Sequence, residues 1–242
     1  MTDGALRSTP RYGAALFDLD GTLVASHRAI GRHTRLWAER NGLDVGRVME
    51  VSHGLRDQDF IPRLVPRARV GAELRWLHEL SCRDTEDVTA VPGAAGLTGA
   101  LPGRSWAVVT SAARQVALCR LAAASLPRPP LLICAEEVAE GKPSPEGYLR
   151  AAGALGVKPH DCLVFEDSAA GLLAARSAGM AAVAVGGGRD VPHGTPVTDL
   201  REVRIRVTSA GELEVTSPEL APVPVPPPAP RARRGPRPVA RE

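Results

Sequence analysis

The stretch at residues 15–26, ALFDLDGTLVAS, joins a short apolar run to two aspartates that stand two residues apart. A short, uninterrupted apolar run is typical of a strand that is buried on both faces of a parallel sheet. Asp18 and Asp20 then fall at the carboxyl end of this strand, and Gly21 and Thr22 allow a sharp turn after them. Open parallel sheets bind ligands at this edge. We therefore predict that both carboxylates belong to a site, although an Asp-Gly pair alone could mark a hairpin turn.

The chain beyond residue 91 alternates between apolar segments and helical patterns of about a dozen residues. This alternation predicts an α/β protein with a parallel sheet. Residues 27–89 differ, because they are rich in Arg, Glu and Leu at helical spacing, and they predict a small helical insertion after the first strand. The pattern after residue 189 is irregular, so the end of the sheet stays open.

These changes of pattern predict the domain organisation. We expect a loose leader at residues 1–12, a core formed by residues 13–26 and 90–212, and the helical insertion between the two core segments at residues 27–89. Residues 218–242 are rich in Pro and Arg and predict a disordered tail, because such a segment buries too little apolar surface to offset its ordering entropy.

Charge and composition exclude several classes of protein. The formal net charge is +3, but residues 222–242 carry five arginines and one glutamate, so a tail charge of +4 leaves the rest at −1. A nearly neutral core argues against a nucleic-acid partner. The apolar stretches are far shorter than the ~20 residues of a membrane span, and the N-terminus shows no signal peptide. We expect a cytoplasmic protein that is a monomer or a simple homodimer.

The four cysteines are widely separated and include no CxxC pair; they are Cys82, Cys119, Cys134 and Cys162. Such spacing in a cytoplasmic protein predicts reduced, mostly buried thiols rather than a disulfide framework.

Polar residues recur where other predicted strands end. Thr110 and Ser111 follow one strand, Glu166 and Asp167 follow another, and Lys142 precedes a predicted helix. Converging carboxylates repel one another unless a cation neutralises them, and oxygen ligands without His or Cys favour Mg²⁺. A carboxylate nucleophile could form an aspartyl-phosphate, a second carboxylate could move protons, and a lysine and a hydroxyl could stabilise the phosphoryl group.

Four segments, FDLDGTL, VVTS, GKPSPEGYL and VFEDSAAGLLAARSAGM, resemble the four motifs of the haloacid dehalogenase-like superfamily over residues 13–190. The resemblance implies a Rossmann-like core with a small α-helical cap of the phosphoglucomutase-like branch. It implies that Asp18 is the nucleophile and Asp20 the general acid/base. Ser111, with Thr110 as a competitor, would bind the phosphoryl group, and Lys142 would stabilise its charge.

The resemblance also implies a Mg²⁺ site. The ion would be held by Asp18, the backbone carbonyl of Asp20 and Asp167, with Glu166 as a direct or water-mediated partner.

Within the superfamily the motifs are most similar to those of sugar-phosphate and glycerol-phosphate phosphatases. Asp20 argues against a dehalogenase, whose reaction has no leaving oxygen to protonate, and the absence of lysine from residues 27–89 argues against a phosphonoacetaldehyde hydrolase. We expect a Mg²⁺-dependent phosphatase of small phosphate monoesters, with a phosphorylated sugar or polyol as its partner and no membrane partner. A sugar phosphomutase and a catalytically weak binding or regulatory protein remain alternatives.

The insertion contains one informative loop, SHGLRDQDFIPRL, at residues 52–64. It resembles the substrate-specificity loop of these enzymes, and we expect Arg56 and His53 to contact substrate there. The alternatives are that Arg56 is solvated and that His53 is a surface or helix-capping residue.

Overall fold

The computed structural model describes residues 9–52, 55–186 and 194–217. Its strands are β1 Arg11–Tyr12, β2 Ala14–Phe17, β3 Val24–Ala25, β4 Thr89–Ala90, β5 Trp106–Val109, β6 Leu132–Ile133, β7 Cys162–Glu166, β8 Ala181–Val185, β9 Thr195–Val197, β10 Arg204–Val207 and β11 Leu213–Thr216. Its α-helices are α1 His27–Arg40, α2 Val45–Ser52, α3 Asp57–Phe60, α4 Val70–Arg83, α5 Ala94–Gly99, α6 Arg114–Ala123, α7 Glu146–Leu155 and α8 Ala169–Ser177.

The centre of the molecule is a six-stranded sheet in the order β6-β5-β2-β7-β8-β9. Every neighbouring pair in it is parallel. Parallel neighbours need crossover connections, and helices supply most of them here. The predicted α/β class with a parallel sheet and an inserted helical unit is therefore confirmed.

Strand β2 lies in the middle of the sheet and is fully buried, as its apolar run predicts. Its side chains alternate between the two faces, so Ala15 and Phe17 join one apolar cluster and Leu16 joins the other. Phe17 also stacks on Phe165 of β7, with ring centroids 4.6 Å apart. This packing fixes the end of β2, and therefore the position of the aspartates that follow it.

Helices cover both faces of the sheet. Leu97 of α5 and Leu121 of α6 belong to the cluster on one face, while Tyr148 of α7 and Ala174 of α8 belong to the cluster on the other. Gly156 directly follows α7 and ends the helix by adopting a left-handed backbone conformation (φ 71°). An apolar core on each face is the arrangement that a fully parallel sheet requires.

Helices α1–α4 form a separate unit, which we call the cap. The chain enters and leaves it through β3 and β4, which pair antiparallel. The cap has its own apolar cluster, in which Trp37 and Phe60 meet edge to face at 5.7 Å. It also buries Glu73, which accepts hydrogen bonds from Trp37 Nε1 (3.1 Å) and Arg40 (2.6 Å).

The limits of the core differ from the prediction at both ends. Residues 11–12, predicted as leader, form β1 and pair with β11, which lies beyond residue 212. Together with β10 these strands form a three-stranded antiparallel sheet. Strand β9 extends the central sheet past the point that the sequence left open. The remaining leader, residues 1–8, and the predicted disordered tail, residues 218–242, lie outside the described residues.

The prediction of four reduced thiols is wrong. Cys82 of α4 and Cys119 of α6 form a disulfide, whereas Cys134 and Cys162 are free and buried. The two bonded residues are 37 positions apart, and only the packing of the cap helix against the core helix brings them together. Among the described residues, no helix combines the length and apolar character needed to cross a membrane.

Candidate active site

The carboxyl ends of three neighbouring strands meet at one edge of the sheet. Asp18 follows β2, Thr110 follows β5, and Glu166 ends β7, directly before Asp167. This edge faces the cap across a cavity of about 590 Å³. The sequence-predicted residues that line the cavity are Asp18, Asp20, Thr110, Ser111, Lys142 and Asp167. The cap side of the cavity is mixed in character and includes Ile30, Thr34, Met49, Ser52, Leu55 and Asp57.

Lys142 is the cation at the centre of this edge. Its Nζ donates to Asp18 Oδ1, to Glu166 Oε1 (2.5 Å) and to the carbonyl oxygen of Val109 (3.2 Å). It also lies 5.3 Å from the ring centroid of Tyr148. Burial lowers the pKa of Lys142, but the charges of Asp18 and Glu166 outweigh burial and raise it well above its ordinary value. Lys142 is therefore held as a cation against Asp18.

Glu166 is completely buried and fully partnered. Its Oε1 accepts from Lys142 and from the hydroxyl of Tyr148 (3.1 Å), and its Oε2 accepts from the Ser168 amide (2.8 Å) and hydroxyl (2.9 Å). Burial raises the pKa of Glu166, yet Lys142 and Ser168 lower it overall. Gly171 is required at the start of α8, because a Cβ there would overlap the Glu166 carboxylate. Ser168 caps α8 by accepting from the Gly171 amide.

Asp18, Glu166 and Asp167 can each offer a carboxylate oxygen to one point, with the three oxygens within 4.8 Å of one another. Gly21 (φ 91°) makes this approach possible, because a Cβ at that position would overlap the Asp167 carboxylate. Burial raises the pKa of Asp18 well above its ordinary value, and Glu166 and Asp167 add to this effect against Lys142. Burial and Glu166 likewise raise the pKa of Asp167 to about 6.

The cluster contains three carboxylates, and Lys142 contacts two of them, so one lysine does not balance their combined negative charge. Hard oxygen donors with surplus negative charge fit a divalent cation such as Mg²⁺. The Asp20 side chain is not part of this three-carboxylate group.

Asp20 is held away from that group by two other side chains. Ser26 donates its hydroxyl to Asp20 Oδ1 (2.5 Å), and Arg120 donates Nη1 to Asp20 Oδ2 (2.7 Å). Both partners are buried. Both oxygens of the carboxylate are thus fixed at the wall of the cavity.

The two candidate phosphate-binding hydroxyls are placed differently. Thr110 is buried and its hydroxyl accepts from the Ala112 amide (3.0 Å), so it stabilises the turn after β5. Ser111 is partly exposed and lines the cavity. This geometry favours Ser111 as the hydroxyl that is available to a ligand.

The predicted substrate contact of Arg56 is not supported by the geometry. Arg56 is buried and its five N–H groups all have partners: Asp59 accepts two bonds, and the carbonyl oxygens of Ala135, Val138 and Ala139 accept the other three. Arg56 thus joins the cap to a loop of the core and has no donor left for a ligand in this arrangement. His53 lies outside the described residues.

Four residues of the site were not identified from the sequence: Ser26, His27, Arg120 and Tyr148. His27 Nε2 lies 3.3 Å from Asp167 Oδ2. The sequence does contain one indication for Arg120. This residue stands four positions after Val116 on the buried face of α6, where an apolar side chain would be expected. The other three occupy positions at which their residue types are unremarkable.

Known proteins that are similar to this chain include two phosphatases and a protein of the same fold. Hexitol phosphatase A of Escherichia coli is 38% identical over 206 residues, which is 83% of this chain and 93% of that protein. Glycerol-1-phosphate phosphohydrolase 2 of Saccharomyces cerevisiae is 35% identical, over 70% of this chain and 72% of that protein. The crystal structure of CbbY from Rhodobacter sphaeroides in complex with phosphate shares the fold, with a TM-score of 0.69, 22% identity, and coverage of 79% of this chain and 96% of that one.

The family model of haloacid dehalogenase-like hydrolases matches residues 12–179. This span contains β2 and the two aspartates that follow it, the cap, Lys142, and the acidic pair Glu166 and Asp167 at the end of β7. The resemblance stated from the four motifs is confirmed, and the chain belongs to the haloacid dehalogenase-like hydrolase family.

Proposed function

We propose that this protein is a Mg²⁺-dependent phosphatase that hydrolyses phosphate monoesters of sugars or polyols through an aspartyl-phosphate. The observation that carries the proposal is the contact between Asp18 and Lys142 at the end of a buried strand, facing the cavity between the core and the cap. A carboxylate nucleophile next to a fixed cation is the arrangement that attack on a phosphoryl group needs, because charge builds up on the phosphoryl oxygens.

In the first half of the reaction, Asp18 attacks phosphorus and the bond between phosphorus and the ester oxygen breaks. The leaving oxygen takes a proton from Asp20, so the alcohol departs neutral and Asp20 becomes a carboxylate. Lys142 supplies positive charge beside the transferring group, and the Ser111 hydroxyl donates to one of its oxygens.

In the second half, Asp20 takes a proton from water while the water oxygen attacks phosphorus. The acyl phosphate bond breaks, which releases phosphate and returns Asp18 as a carboxylate. Asp20 ends with the proton that it supplied in the first half, so the two halves add up to hydrolysis of one ester bond by one water molecule.

The residues that would hold Mg²⁺ are Asp18, Asp167 and the backbone carbonyl of Asp20, with Glu166 acting directly or through water. When bound, the ion supplies positive charge that favours ionised carboxylates and neutralises phosphoryl oxygens. Glu166 also accepts hydrogen bonds from Lys142, Tyr148 and Ser168. Its main contribution is therefore to hold Lys142 in place.

The cavity supports a polyol or sugar substrate. Its volume of about 590 Å³ lies within the range of pockets for small metabolites. Thr34, Ser52 and Asp57 can exchange hydrogen bonds with hydroxyl groups, while Ile30 and Met49 can cover the carbon chain. The names of the two relatives, a hexitol phosphatase and a glycerol-1-phosphate phosphohydrolase, support the same substrate class.

The test is phosphate release from a panel of hexitol, sugar, glycerol and nucleoside monophosphates, with Mg²⁺ and with EDTA. We expect Mg²⁺-dependent release by the wild type and a loss of at least about 10³-fold in Asp18→Asn, because the nucleophile is removed. Asp161→Asn is the matched control, since Asp161 precedes β7 at the opposite end of the strand. Isomerised sugar phosphate without free phosphate would identify a mutase, and no turnover at all would favour a binding protein.

A further inference from the structure

The ion pair between Arg120 and Asp20 is a contact in the site to which the proposed mechanism gives no role. Arg120 Nη1 lies 2.7 Å from Asp20 Oδ2, and the two residues are 100 positions apart in the chain. The Arg120 side chain is only 8% exposed. A guanidinium is rarely buried without a partner, because it loses the hydration that stabilises its charge in water.

The surroundings of Arg120 hold it rigidly. It lies in the second half of α6, between Ala117 and Leu121, which both pack into the apolar cluster on this face of the sheet. The preceding residue, Cys119, is bonded to Cys82 of the cap. The last turns of α6 are thus fixed by the sheet on one side and by α4 on the other.

Arg120 also contributes charge that the site needs. Asp18, Glu166 and Asp167 form one group of carboxylates, Asp20 lies on the wall of the same cavity, and Lys142 is already engaged by Asp18 and Glu166. Without Arg120, Asp20 would keep only the Ser26 hydroxyl as a partner. It could then rotate away from the reacting oxygen under the repulsion of the other carboxylates.

We propose that Arg120 is the positioning residue of the acid/base Asp20, holding one oxygen of its carboxylate so that the group faces the ester oxygen and the attacking water. This inference rests on the proposed function. The assignment is that Arg120 acts through Asp20, because its Nη1 is bonded to that carboxylate. A bonded guanidinium keeps a fixed plane, which orients a carboxylate better than a flexible ammonium does.

The test uses Arg120→Met, which keeps the length of the side chain and removes the charge, and Arg120→Lys, which keeps the charge. Arg114→Met is the matched control on the same helix, since Arg114 pairs with Glu137 outside the site. Single turnovers are followed with two substrates: a hexitol phosphate, whose alkoxide must be protonated to leave, and 4-nitrophenyl phosphate, whose phenolate leaves without a proton.

General acid–base catalysis contributes about 10²–10⁴-fold, and mispositioning should forfeit part of it. We expect Arg120→Met to lower kcat on the hexitol phosphate by about 10- to 100-fold with KM changed less than threefold. Release of nitrophenolate in the first turnover should change less than threefold. Arg120→Lys should recover at least half of the lost activation free energy, and Arg114→Met should match the wild type.

The decisive measurement is a double-mutant cycle with Asp20→Asn. If Arg120 acts through Asp20, adding Arg120→Met to Asp20→Asn should cause no further loss on the hexitol phosphate. Additive losses, equal losses on both substrates, or a raised KM with unchanged kcat would each overturn the assignment; the last would make Arg120 a substrate-binding residue. A wild type without Mg²⁺-dependent phosphate release contradicts the proposed function instead, so the two failures are distinguishable.

Discussion

Cys82 in the cap and Cys119 in the core are joined by a disulfide, with their Cα atoms 5.3 Å apart. The bond links α4 to α6, and it closes a segment of 37 residues. A cross-link of this length restricts the unfolded chain and stabilises the folded one by about 2–4 kcal/mol. We expect reduction, or Cys82→Ser, to lower the free energy of unfolding by this amount in urea titrations.

A count of thiols provides the control. Cys134 and Cys162 are buried, and burial raises the pKa of each to about 12, so neither should react readily in the folded protein. The denatured, non-reduced protein should show two free thiols. Four free thiols, or a Cys82→Ser variant whose stability still responds to reductant, would contradict the cross-link.

Arg56 provides the second connection between cap and core. It donates to the carbonyl oxygens of Ala135, Val138 and Ala139, which belong to the loop after β6. Arg56→Met removes these donors and leaves three carbonyls to find other partners. We expect a loss of about 2–4 kcal/mol in stability and faster hydrogen exchange in α3, measured by mass spectrometry.

Arg67→Met is the control for this variant, because Arg67 is an exposed arginine of the cap. The same pair of variants tests the substrate contact predicted from the sequence. A rise in KM without any change in stability or exchange would favour that contact over the structural role seen here.

The residues that follow the strands could be predicted from the sequence because local pattern and topology are sufficient there. A buried apolar run locates the strand, and parallel strands place their carboxyl ends at one edge, so Asp18, Asp167 and Ser111 come together without any knowledge of the loops. The fold class follows from the same alternation of strands and helices.

The contacts between cap and core could not be predicted in this way. Arg56 and the bonded cysteines depend on how the cap packs on the core after β3 and β4, whereas the contact of Arg120 with Asp20 depends on how α6 packs on the sheet. No local periodicity encodes that orientation. An arginine on an apolar helix face, as at position 120, indicates only that some buried partner exists.

Glu73 is a buried carboxylate of α4 that connects several side chains of the cap. It pairs with Arg40 (2.6 Å) and Arg69 (2.7 Å) and accepts from Trp37 and Asn41. Although burial raises the pKa of Glu73, the bonds from Asn41 and Arg69 and the nearby charges lower it overall. We expect Glu73→Gln to destabilise the protein by about 2–4 kcal/mol at pH 7. Arg40 and Arg69 would lose their charged partner, and the buried side-chain amide that replaces the carboxylate would be poorly paired.

The pH dependence of this effect has a defined sign. A carboxyl with a lowered pKa stabilises the folded state above the pKa of the unfolded chain, and this contribution is lost as the pH falls through the folded-state pKa. The difference between wild type and Glu73→Gln in thermal unfolding should therefore shrink in acid. Glu79→Gln, at an exposed position of the same helix, should match the wild type throughout; a difference that does not vary with pH would point to packing rather than charge.

Asp167 links metal affinity to pH. Burial and the charge of Glu166 raise its pKa to about 6, against the opposing effects of His27 and Lys142. Mg²⁺ binds the deprotonated carboxylate, so protons compete with the ion below that value. We expect the affinity for Mg²⁺, measured by isothermal titration calorimetry, to be constant above about pH 7 and to fall by at least about tenfold per pH unit below pH 6.

In the metal-free protein, the effect of pH on folding stability should have the opposite sign to its effect on Mg²⁺ affinity. A carboxyl whose pKa is raised on folding stabilises the folded state below its unfolded pKa, and this contribution is lost as the pH rises through about 6. Asp167→Asn should remove that dependence and weaken Mg²⁺ binding by about tenfold or more at pH 7.5. Asp161→Asn should retain both behaviours. Unchanged Mg²⁺ affinity in Asp167→Asn would show that this carboxylate is not a ligand.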